Sequence, residues 1–421
     1  MAHKEQYVCR ICGESMREVL NLGSIYPSNF VNKTEGEAVP LVLMECKSCG
    51  LVQLKHTVNL DEMYRTYFYQ SAINPSMVKS LQDIVTEIEN TIKINDEDLL
   101  LDIGCNDGVM FTLYKNKITF KLGYDPALNL AEKATKNCSF FVNDYFSKDS
   151  YYWNKARVVT AIAMFYDLPD PNKFVEDIAN VLADDGIFVI QFTDLISMLR
   201  INAFDNICHE HLEYYKLTDI VNLLDKHGLK VFKVSYNKVN GGSIRVFACK
   251  NDYFCTQDSV LNSLADERAY LDSFDDPMKS FSERINKVKR TVLDFLTRAE
   301  FAGIRIYGMG ASTKGNTLLQ YFGITKKLIP IIADVNPDKF GKYTISSNIP
   351  IASEDEVFKE HPDMLFVLPW HFIDDFIARN IKFLKYGGAF IVPLPEPVIY
   401  YMEGDEGQEV VKWTYLERVL G

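Results

Sequence analysis

The segment from Leu99 to Gly108, Leu-Leu-Leu-Asp-Ile-Gly-Cys-Asn-Asp-Gly, constrains the fold of this chain more than any other. Its three consecutive leucines predict a strand that is buried on both faces, as in a parallel sheet. The strand runs into a turn with Gly104, Asn106 and Gly108, residues that tolerate positive φ angles and let the backbone approach a ligand closely. The segment therefore predicts a buried parallel strand that ends in a ligand-binding turn.

The spacing of this turn selects among ligands. A dinucleotide-binding turn has a third small residue for helix packing and grips a pyrophosphate. Here the pattern is Asp-x-Gly-x-Asn-x-Gly, from Asp102 to Gly108, and no phosphate-binding lysine is nearby. The pattern resembles the first motif of class I S-adenosylmethionine methyltransferases, and the resemblance implies that S-adenosylmethionine is the cofactor.

Two further predicted strands end in acids that suit this cofactor. Asp125 ends the second strand, 21 residues after Gly104, and Asp144 ends the third. A nucleoside on a doubly wound sheet meets successive loops at the carboxyl edge. Asp125 is therefore placed to accept hydrogen bonds from ribose hydroxyls, and Asp144 to contact an adenine amino group. The alternative is an α/β domain with incidental acids at its strand ends.

Composition limits the class of protein. With 421 residues, 47% of them hydrophobic, the chain has room for two or three domains. Its net charge of −12, without a basic stripe, argues against a nucleic-acid partner. No apolar run approaches the ~20 residues that span a bilayer, and the N-terminus lacks a signal-peptide core, so we expect a cytoplasmic protein with no membrane partner.

Four cysteines form two Cys-x-x-Cys-Gly knuckles near the N-terminus, Cys9 with Cys12 and Cys46 with Cys49. Each knuckle directs backbone amides at two thiolates, and two knuckles complete a tetrahedral all-thiolate shell. The pattern predicts a structural zinc ion with no open position for catalysis. Free or redox-active thiols are the alternative.

Strand and helix patterns alternate from Leu99 to about Lys250 and again from Ile304. We expect an α/β chain with three parts: an N-terminal zinc-binding module (1–72), a central class I methyltransferase Rossmann-like doubly wound sheet with an antiparallel close (73–255), and a C-terminal second Rossmann-like domain (256–421). A charged helical region from about Thr256 to Ala302 connects the two sheets.

The second Rossmann-like unit opens with its own glycine turn, Gly308 to Thr317. Gly308 and Gly310 are spaced as in dinucleotide sites, but Asn316 stands where a Walker motif has lysine. Lys314 and the helix start would form an anion site. The alternative is a turn that serves only close packing of strand and helix.

Aromatic residues crowd the end of the N-terminal module, at Tyr64, Tyr67, Phe68 and Tyr69. They suit packing against the next helix, or a pocket mouth that presents hydroxyls to a ligand.

Cys208-His209-Glu210-His211 brings two of the seven histidines and a carboxylate into four residues. A metal site would need further ligands that the sequence does not identify. A satisfied polar loop and a general acid/base pair are the other interpretations.

Taken together, the motifs resemble the three-domain sugar C-methyltransferases, which act on nucleotide-linked 4-keto-6-deoxysugars to make branched deoxysugars. The resemblance covers nearly the whole chain. It rests on the two knuckles, Tyr26 to Phe30, Asp102 to Gly108, His209 to His211, Asn240 to Arg245 and Gly308 to Thr317. The family pattern is usually Tyr-His-Glu-His, so Cys208 replaces a tyrosine, and Asp167 stands where many members have histidine.

The resemblance implies a mechanism. His211 would remove a proton next to the ketone, Glu210 would orient and stabilise its imidazolium, and His209 or the Gly241 and Gly242 amides would hold the enolate oxygen. Lys314 and the helix start after Gly310 would hold the nucleotide diphosphate.

The resemblance further implies a nucleotide-linked sugar partner, and we expect a monomer or weak dimer. Residues expected to contact substrate are Tyr67, Tyr69, Asn240, Gly241, Gly242, Ser243, Arg245, Gly310, Ser312, Lys314 and Asn316. Two alternatives are a sugar O-methyltransferase on the same scaffold and a nicotinamide-dependent oxidoreductase, with Asp334 as its ribose-binding acid.

Overall fold

Two seven-stranded α/β sheets and a small antiparallel module make up the computed structural model of the chain, which describes residues 3–67, 69–115, 118–250, 253–403 and 409–413. This architecture confirms the predicted α/β class. Phe68, one of the aromatic residues singled out above, lies outside the described residues. No helix in the described ranges is long and apolar enough to cross a membrane.

The central sheet has the predicted doubly wound topology with an antiparallel close. In spatial order its strands are Leu229–Asn237, Ser243–Lys250, Leu182–Thr193, Ala156–Ile162, Leu99–Ile103, Phe120–Tyr124 and Phe140–Val142. The last five are parallel, and the first two pair antiparallel. Leu99–Ile103 is buried at every position because helices cover both faces of the sheet.

The helices of this domain are Pro75–Thr91, Ala131–Asn137, Pro171–Val181, Leu195–Arg200 and Leu217–Lys226. The first shows how the sequence sets a helix start. The Asn74 side chain accepts a hydrogen bond from the Ser76 amide at 3.1 Å, and Pro75 lies in the first turn, where it loses no helical bond. The helix buries one face at helical spacing, namely Leu81, Ile84, Val85 and Ile88.

The N-terminal module contributes to three small antiparallel sheets, the largest of which is completed by a strand from the central domain. Its own strands are His3–Glu5, Met16–Ile25, Phe30–Val31, Val39–Cys46, Val52–Leu54 and His56–Val58, followed by the helix Leu60–Tyr64. The extra strand, Glu213–Tyr214, pairs antiparallel with Val52–Leu54. Because this strand begins two residues after His211, the module lies directly against the segment that carries the candidate base.

The C-terminal sheet repeats the parallel pattern, with two antiparallel strands at one edge. Its strands in spatial order are Ile351–Ser353, Ile332–Asp334, Ile306–Met309, Met364–Val367, Ala389–Val392, Val398–Glu403 and Glu409–Trp413. Its helices are Thr313–Phe322, Glu354–Lys359, Ile373–Arg379 and Ile381–Lys385, and the helices Asp258–Asp272 and Pro277–Phe301 form the predicted connection. A two-residue strand, Tyr343–Thr344, pairs with Phe30–Val31 of the N-terminal module.

One predicted strand is shorter than expected. The sequence predicts a strand from Leu328 to Asp334, but the structure has only Ile332–Asp334. Pro330 has no N–H for a strand ladder, and the Leu328 amide bonds the Thr325 carbonyl in a turn at 3.0 Å.

Candidate active site and metal centre

The four knuckle cysteines converge as predicted. Their sulfur atoms all lie within 4.8 Å of one another, with Cys12 3.4 Å from Cys46 and 3.6 Å from Cys49. A tetrahedron with Zn–S bonds of about 2.3 Å has S–S edges of about 3.8 Å. The Cys46 thiolate also faces the amides of Ser48 and Cys49, at 3.4 and 3.5 Å. The cluster therefore fits a structural zinc ion.

We expect one zinc ion per chain, because four thiolates close the coordination shell. Elemental analysis of protein purified without chelators should find stoichiometric zinc, and Cys46→Ser should lower it. Cys255→Ser is the matched control, because Cys255 is an exposed free cysteine outside the cluster. Zinc-free wild-type protein purified in this way would contradict the assignment.

The cofactor turn has the tight geometry that its glycines predict. Gly104 has φ +70°, and a Cβ at this position would lie 2.9 Å from Met164 Cγ. The Asn106 and Ala127 amides donate to the two carboxylate oxygens of Asp125 at 2.8 and 2.9 Å. Burial raises the pKa of Asp125. Each carboxylate oxygen keeps acceptor capacity for a ribose hydroxyl, so this acid suits its predicted role.

Asp102 lies near the end of the strand Leu99–Ile103, and its side chain is hydrogen-bonded to the neighbouring strand. Its carboxylate accepts a hydrogen bond from the Thr160 hydroxyl at 2.6 Å, and burial raises its pKa to about 7. The side chain therefore links two central strands beneath the cofactor turn.

Two predicted cofactor residues instead hold the segment that crosses this sheet edge. The Asn106 side chain accepts from the Ser71 amide at 2.9 Å and donates to the Tyr69 carbonyl at 3.1 Å. Asp144 is exposed and forms an ion pair with Arg65 at 3.0 Å. The assignment of these two side chains to the cofactor is therefore not supported by the structure, because both have protein partners far away in sequence.

We expect Asp125→Ala to weaken S-adenosylhomocysteine binding by roughly 1–3 kcal/mol, because charge-assisted hydrogen bonds to the ribose are lost. Calorimetry can measure this, with Asp144→Ala as the matched strand-end control that leaves affinity nearly unchanged. Equal losses in both variants would contradict the distinction drawn here.

His211 lies at the end of a turn over Cys208–His211 and is held by backbone. Its Nδ1 is 2.8 Å from the Asn206 carbonyl oxygen, and its ring packs on Tyr166 with centroids 4.1 Å apart. A carbonyl can only accept, so Nδ1 carries a proton and Nε2 has the lone pair. Burial and the charge of Lys314 lower the pKa of His211 to about 3. The imidazole is therefore a neutral, oriented proton acceptor at neutral pH.

The other two side chains of this motif do not converge on His211. His209 turns toward the N-terminal module, where Nε2 lies 3.1 Å from the Val39 carbonyl, and burial lowers its pKa to about 4. Among the described residues, Glu210 forms no hydrogen bond with His211, and its buried Oε2 has no hydrogen-bond partner. The structure therefore does not support the orienting role predicted for Glu210 or the oxyanion role predicted for His209. The Asn206 carbonyl, not Glu210, orients the His211 ring.

Asp167 and Tyr64 lie beside Glu210, and the sequence analysis assigned neither of them to the catalytic group. The Tyr64 hydroxyl donates to the Glu210 carbonyl at 3.3 Å. Asp167 has a buried Oδ1 without a described partner. Burial and the nearby Glu210 carboxylate raise the pKa of Asp167 well above its usual range. The signal available in the sequence was the replacement of histidine by Asp167.

Lys314 reaches this site from the C-terminal domain. Its Nζ donates to the Asn240 carbonyl at 3.1 Å, and no ion-pair partner lies within 4 Å among the described residues. Burial lowers the pKa of Lys314, and the opposite charge of Asp205 offsets only part of this lowering. Since the Lys314 charge also lowers the pKa of His211, the ammonium and the base share one site.

The Asn240–Ser243 turn approaches Lys314 through its backbone. The Gly241 and Gly242 amides donate to the Lys238 and Val239 carbonyls at 3.3 and 3.0 Å, and the Ser243 hydroxyl donates to the Val239 carbonyl at 2.9 Å. Both amides therefore already have backbone acceptors, and this does not support their predicted use for an enolate oxygen.

Arg245 is also a structural residue. Its guanidinium is 2% exposed, forms ion pairs with Glu87 and with Asp83, the latter at 2.9 Å, and donates to Gln191 at 3.0 Å. The predicted substrate contact of Arg245 is wrong, because these partners hold the side chain within the central domain.

The glycine turn of the C-terminal domain serves packing. A Cβ on Gly310 would lie 2.6 Å from Pro369 Cγ, and the Ser312 hydroxyl caps the next helix by accepting from the Gly315 amide at 3.0 Å. Asn316 is fully buried and donates to the Asn29 carbonyl at 3.0 Å. Of the predicted substrate residues in this turn, Lys314 is the one whose charge affects the candidate base, since it lowers the pKa of His211.

Asp334 does not offer a free ribose site. Its carboxylate accepts from the Ala311 and Asn336 amides at 2.8 and 2.7 Å and pairs with Lys339 at 3.2 Å. Asp334 differs from Asp125 in its ion pair with the Lys339 ammonium, which occupies further acceptor capacity of the carboxylate and weakens the best support for the oxidoreductase alternative.

A cavity of ≈800 Å³ is lined mainly by the N-terminal module, with Glu210 from the Cys208–His211 turn and Lys342 and Ile345 from the C-terminal domain. Its lining includes the loop Tyr26–Phe30, Tyr67 and Glu210. Ser28 anchors this loop to the C-terminal domain by donating to the Thr313 carbonyl at 2.8 Å. Of the two predicted tyrosines, Tyr67 therefore lies at the cavity. Tyr69 lies at the cofactor turn, where burial and Asp107 raise its pKa to about 12.

Three family models match consecutive parts of the chain. Residues 9–64 match the family described as "Putative zinc binding domain", residues 75–234 match the methyltransferase domain, and residues 238–395 match the C-methyltransferase C-terminal domain. C-methyltransferase NovU from Streptomyces niveus is 29% identical over 408 residues, which cover 94% of this chain and 97% of that protein.

Solved structures align with a smaller part of the chain. Magnesium protoporphyrin IX methyltransferase from Synechocystis with bound S-adenosylmethionine is 14% identical over 42% of this chain and 79% of its own, with a TM-score of 0.32. An S-adenosylmethionine-dependent methyltransferase from Clostridium acetobutylicum is 13% identical over 41% of this chain and 92% of its own, with a TM-score of 0.34.

The chain is an S-adenosylmethionine-dependent methyltransferase with a zinc-binding N-terminal module. More narrowly, residues 238–395 match the C-methyltransferase C-terminal domain, and the chain is similar to C-methyltransferase NovU over nearly its whole length.

Proposed function

We propose that this enzyme methylates a nucleotide-linked 4-keto-6-deoxysugar at the ring carbon next to the ketone, which we take to be C3. The observation that carries the proposal is the pairing of a neutral, oriented imidazole with a desolvated ammonium, His211 with Lys314. A base and a cation in one dry site suit the removal of a proton next to a carbonyl, because negative charge develops on the oxygen.

His211 takes the proton on Nε2, while the Asn206 carbonyl holds the ring through Nδ1. His211 has its low pKa in the site without bound substrate. An enolate beside the imidazolium supplies the countercharge that the ring lacks in the free site. Lys314 has two donor positions beyond its bond to the Asn240 carbonyl, and we place the ketone oxygen there.

S-adenosylmethionine, when bound, supplies the electrophilic methyl group. The turn from Gly104 to Gly108 and Asp125 would hold it at the carboxyl edge of the central sheet. Alignment of the enolate carbon with that methyl group accounts for much of the rate, because an oriented encounter replaces a random one. The cavity beside Tyr67 and Glu210 has the size of a nucleotide-linked sugar site, and we place the nucleotide against the Tyr26–Phe30 loop.

A substrate panel tests the proposal. The enzyme is incubated with a methyl-labelled cofactor and a series of nucleotide-linked 4-keto-6-deoxysugars, with the matching 4-hydroxy sugars as controls. We expect label on carbon with keto sugars only, because a hydroxyl does not acidify the neighbouring C–H. Label on oxygen with the 4-hydroxy sugars would favour the O-methyltransferase alternative.

A further inference from the structure

Arg10 stands between the first two zinc-binding cysteines, but its side chain reaches beyond the knuckle. The guanidinium is 2% exposed. It donates to the Leu54 carbonyl at 2.9 Å and to the Thr57 hydroxyl at 2.7 Å, both within the N-terminal module. It also extends to the Leu212 carbonyl, at 3.4 Å, in the central domain. Arg10 therefore joins the knuckle to a residue next to the candidate base.

Leu212 follows His211 directly, and its backbone is held on both sides. Its amide donates to the Tyr166 carbonyl at 2.7 Å, and its carbonyl accepts from the Leu54 amide at 2.8 Å as well as from Arg10. Tyr166 is the residue whose ring packs on the imidazole. The backbone after His211 is thus fixed by the residue under the ring and by the N-terminal module.

Glu213 adds an ion pair to this junction. Its side chain is fully buried, and Oε1 lies 3.4 Å from Nε of Arg10. Burial raises the pKa of Glu213, whereas the Arg10 charge opposes that rise. A buried carboxylate depends strongly on its cation, because removing one partner leaves an uncompensated charge.

The second knuckle holds the other end of the same segment. The Lys216 ammonium donates to the Gly50 carbonyl at 3.1 Å, just after Cys49. The stretch from Leu212 to Lys216 therefore runs between the two knuckles, which a bound zinc ion would hold in register.

We propose that Arg10 is a positioning residue for methyl transfer: through the Leu212 carbonyl and the Glu213 carboxylate it fixes the backbone from which His211 projects. The inference rests on the proposed role of His211 as base. Through Arg10 the N-terminal module would affect the rate of methyl transfer, in addition to stabilising its own fold. Displacement of a reacting group by about 1 Å can cost about 10²-fold in rate. A small shift of the backbone at this junction is therefore enough to lower the rate of methyl transfer.

The test uses full-length, zinc-loaded enzyme. Arg10→Met combined with Glu213→Gln removes both charges and leaves no uncompensated buried ion. Arg10→Lys keeps the charge opposite Glu213 but loses the planar fork of donors. Arg17→Met is the matched control, because Arg17 belongs to the same module and forms an exposed ion pair with Asp276 at 2.7 Å. The measurements are kcat, KM, S-adenosylhomocysteine affinity, zinc content and the rate of substrate α-proton exchange.

We expect the double variant to lose about 10–100-fold in kcat and in proton exchange, with KM, S-adenosylhomocysteine affinity and zinc content near wild type. Arg10→Lys should lose less, and Arg17→Met should match wild type. Unchanged kcat in the double variant and in Arg10→Lys would overturn the inference, as would a loss that only follows a fall in zinc content or in binding-competent protein. Wild-type enzyme that methylates without exchanging the α-proton would instead contradict the proposed function, and with it the base that Arg10 positions.

Discussion

Replacing His211 by asparagine is expected to lower the rate of methyl transfer by about 10²–10⁴-fold, the usual cost of removing a general base. The amide can keep a hydrogen bond to the Asn206 carbonyl but has no basic nitrogen to take the proton. S-adenosylhomocysteine binding should change little, because the described hydrogen bond of His211 goes to the Asn206 carbonyl and not to the Gly104 to Gly108 turn. Steady-state kinetics and calorimetry on the same preparation measure both quantities.

Cys208→Ser is the matched control within the same turn. The Cys208 thiol is buried, and burial with the nearby Glu210 carboxylate raises its pKa well above the usual range, so it remains protonated. A hydroxyl of similar size should leave the rate nearly unchanged. A loss in Cys208→Ser as large as that in His211→Asn would show that the turn tolerates no change, and the specific assignment to the imidazole would not stand.

Lys314→Met is expected to lower kcat by about 10²–10³-fold, comparable to the loss of one oxyanion donor. The side chain of methionine fills similar space but offers no charge where the ketone oxygen would become an enolate. Affinity for the nucleoside diphosphate alone should remain near wild type, because we place the ammonium at the sugar. Equilibrium binding of the nucleoside diphosphate beside turnover of the complete substrate separates these effects.

Lys314→Arg is the companion variant, since it keeps a positive charge with a different shape, and it should retain part of the rate. If Lys314→Met weakens nucleoside diphosphate binding while kcat is preserved, the ammonium serves the diphosphate. That result would restore the role that the sequence alone suggests for Lys314.

The parts of this enzyme that follow from local pattern were predictable. The leucine run before Gly104 specifies a strand buried on both faces, and the two Cys-x-x-Cys-Gly knuckles specify a thiolate cluster. Within the strand and within each knuckle the relevant residues are neighbours in sequence, so spacing alone determines their local geometry.

The candidate site depends on partners that spacing does not reveal. The group that orients His211 is a backbone carbonyl, at Asn206, which has no side-chain signature. Arg10 contacts Leu212 across 202 positions of sequence. Conversely, the resemblance to sugar C-methyltransferases placed Arg245 among the substrate contacts, whereas Asp83 and Glu87 hold it internally. A charged residue in a motif can serve the fold as readily as the ligand.

Exchange of the substrate α-proton in heavy water tests the central claim most directly. The enzyme is incubated with S-adenosylhomocysteine and a nucleotide-linked 4-keto-6-deoxysugar that it methylates, so that proton removal proceeds without methyl transfer, and the α-proton is followed by NMR. We predict exchange with wild-type enzyme and its loss in His211→Asn. Exchange that continues unchanged in His211→Asn would contradict the account and assign the base elsewhere, with Glu210 and Tyr67 the next residues to test.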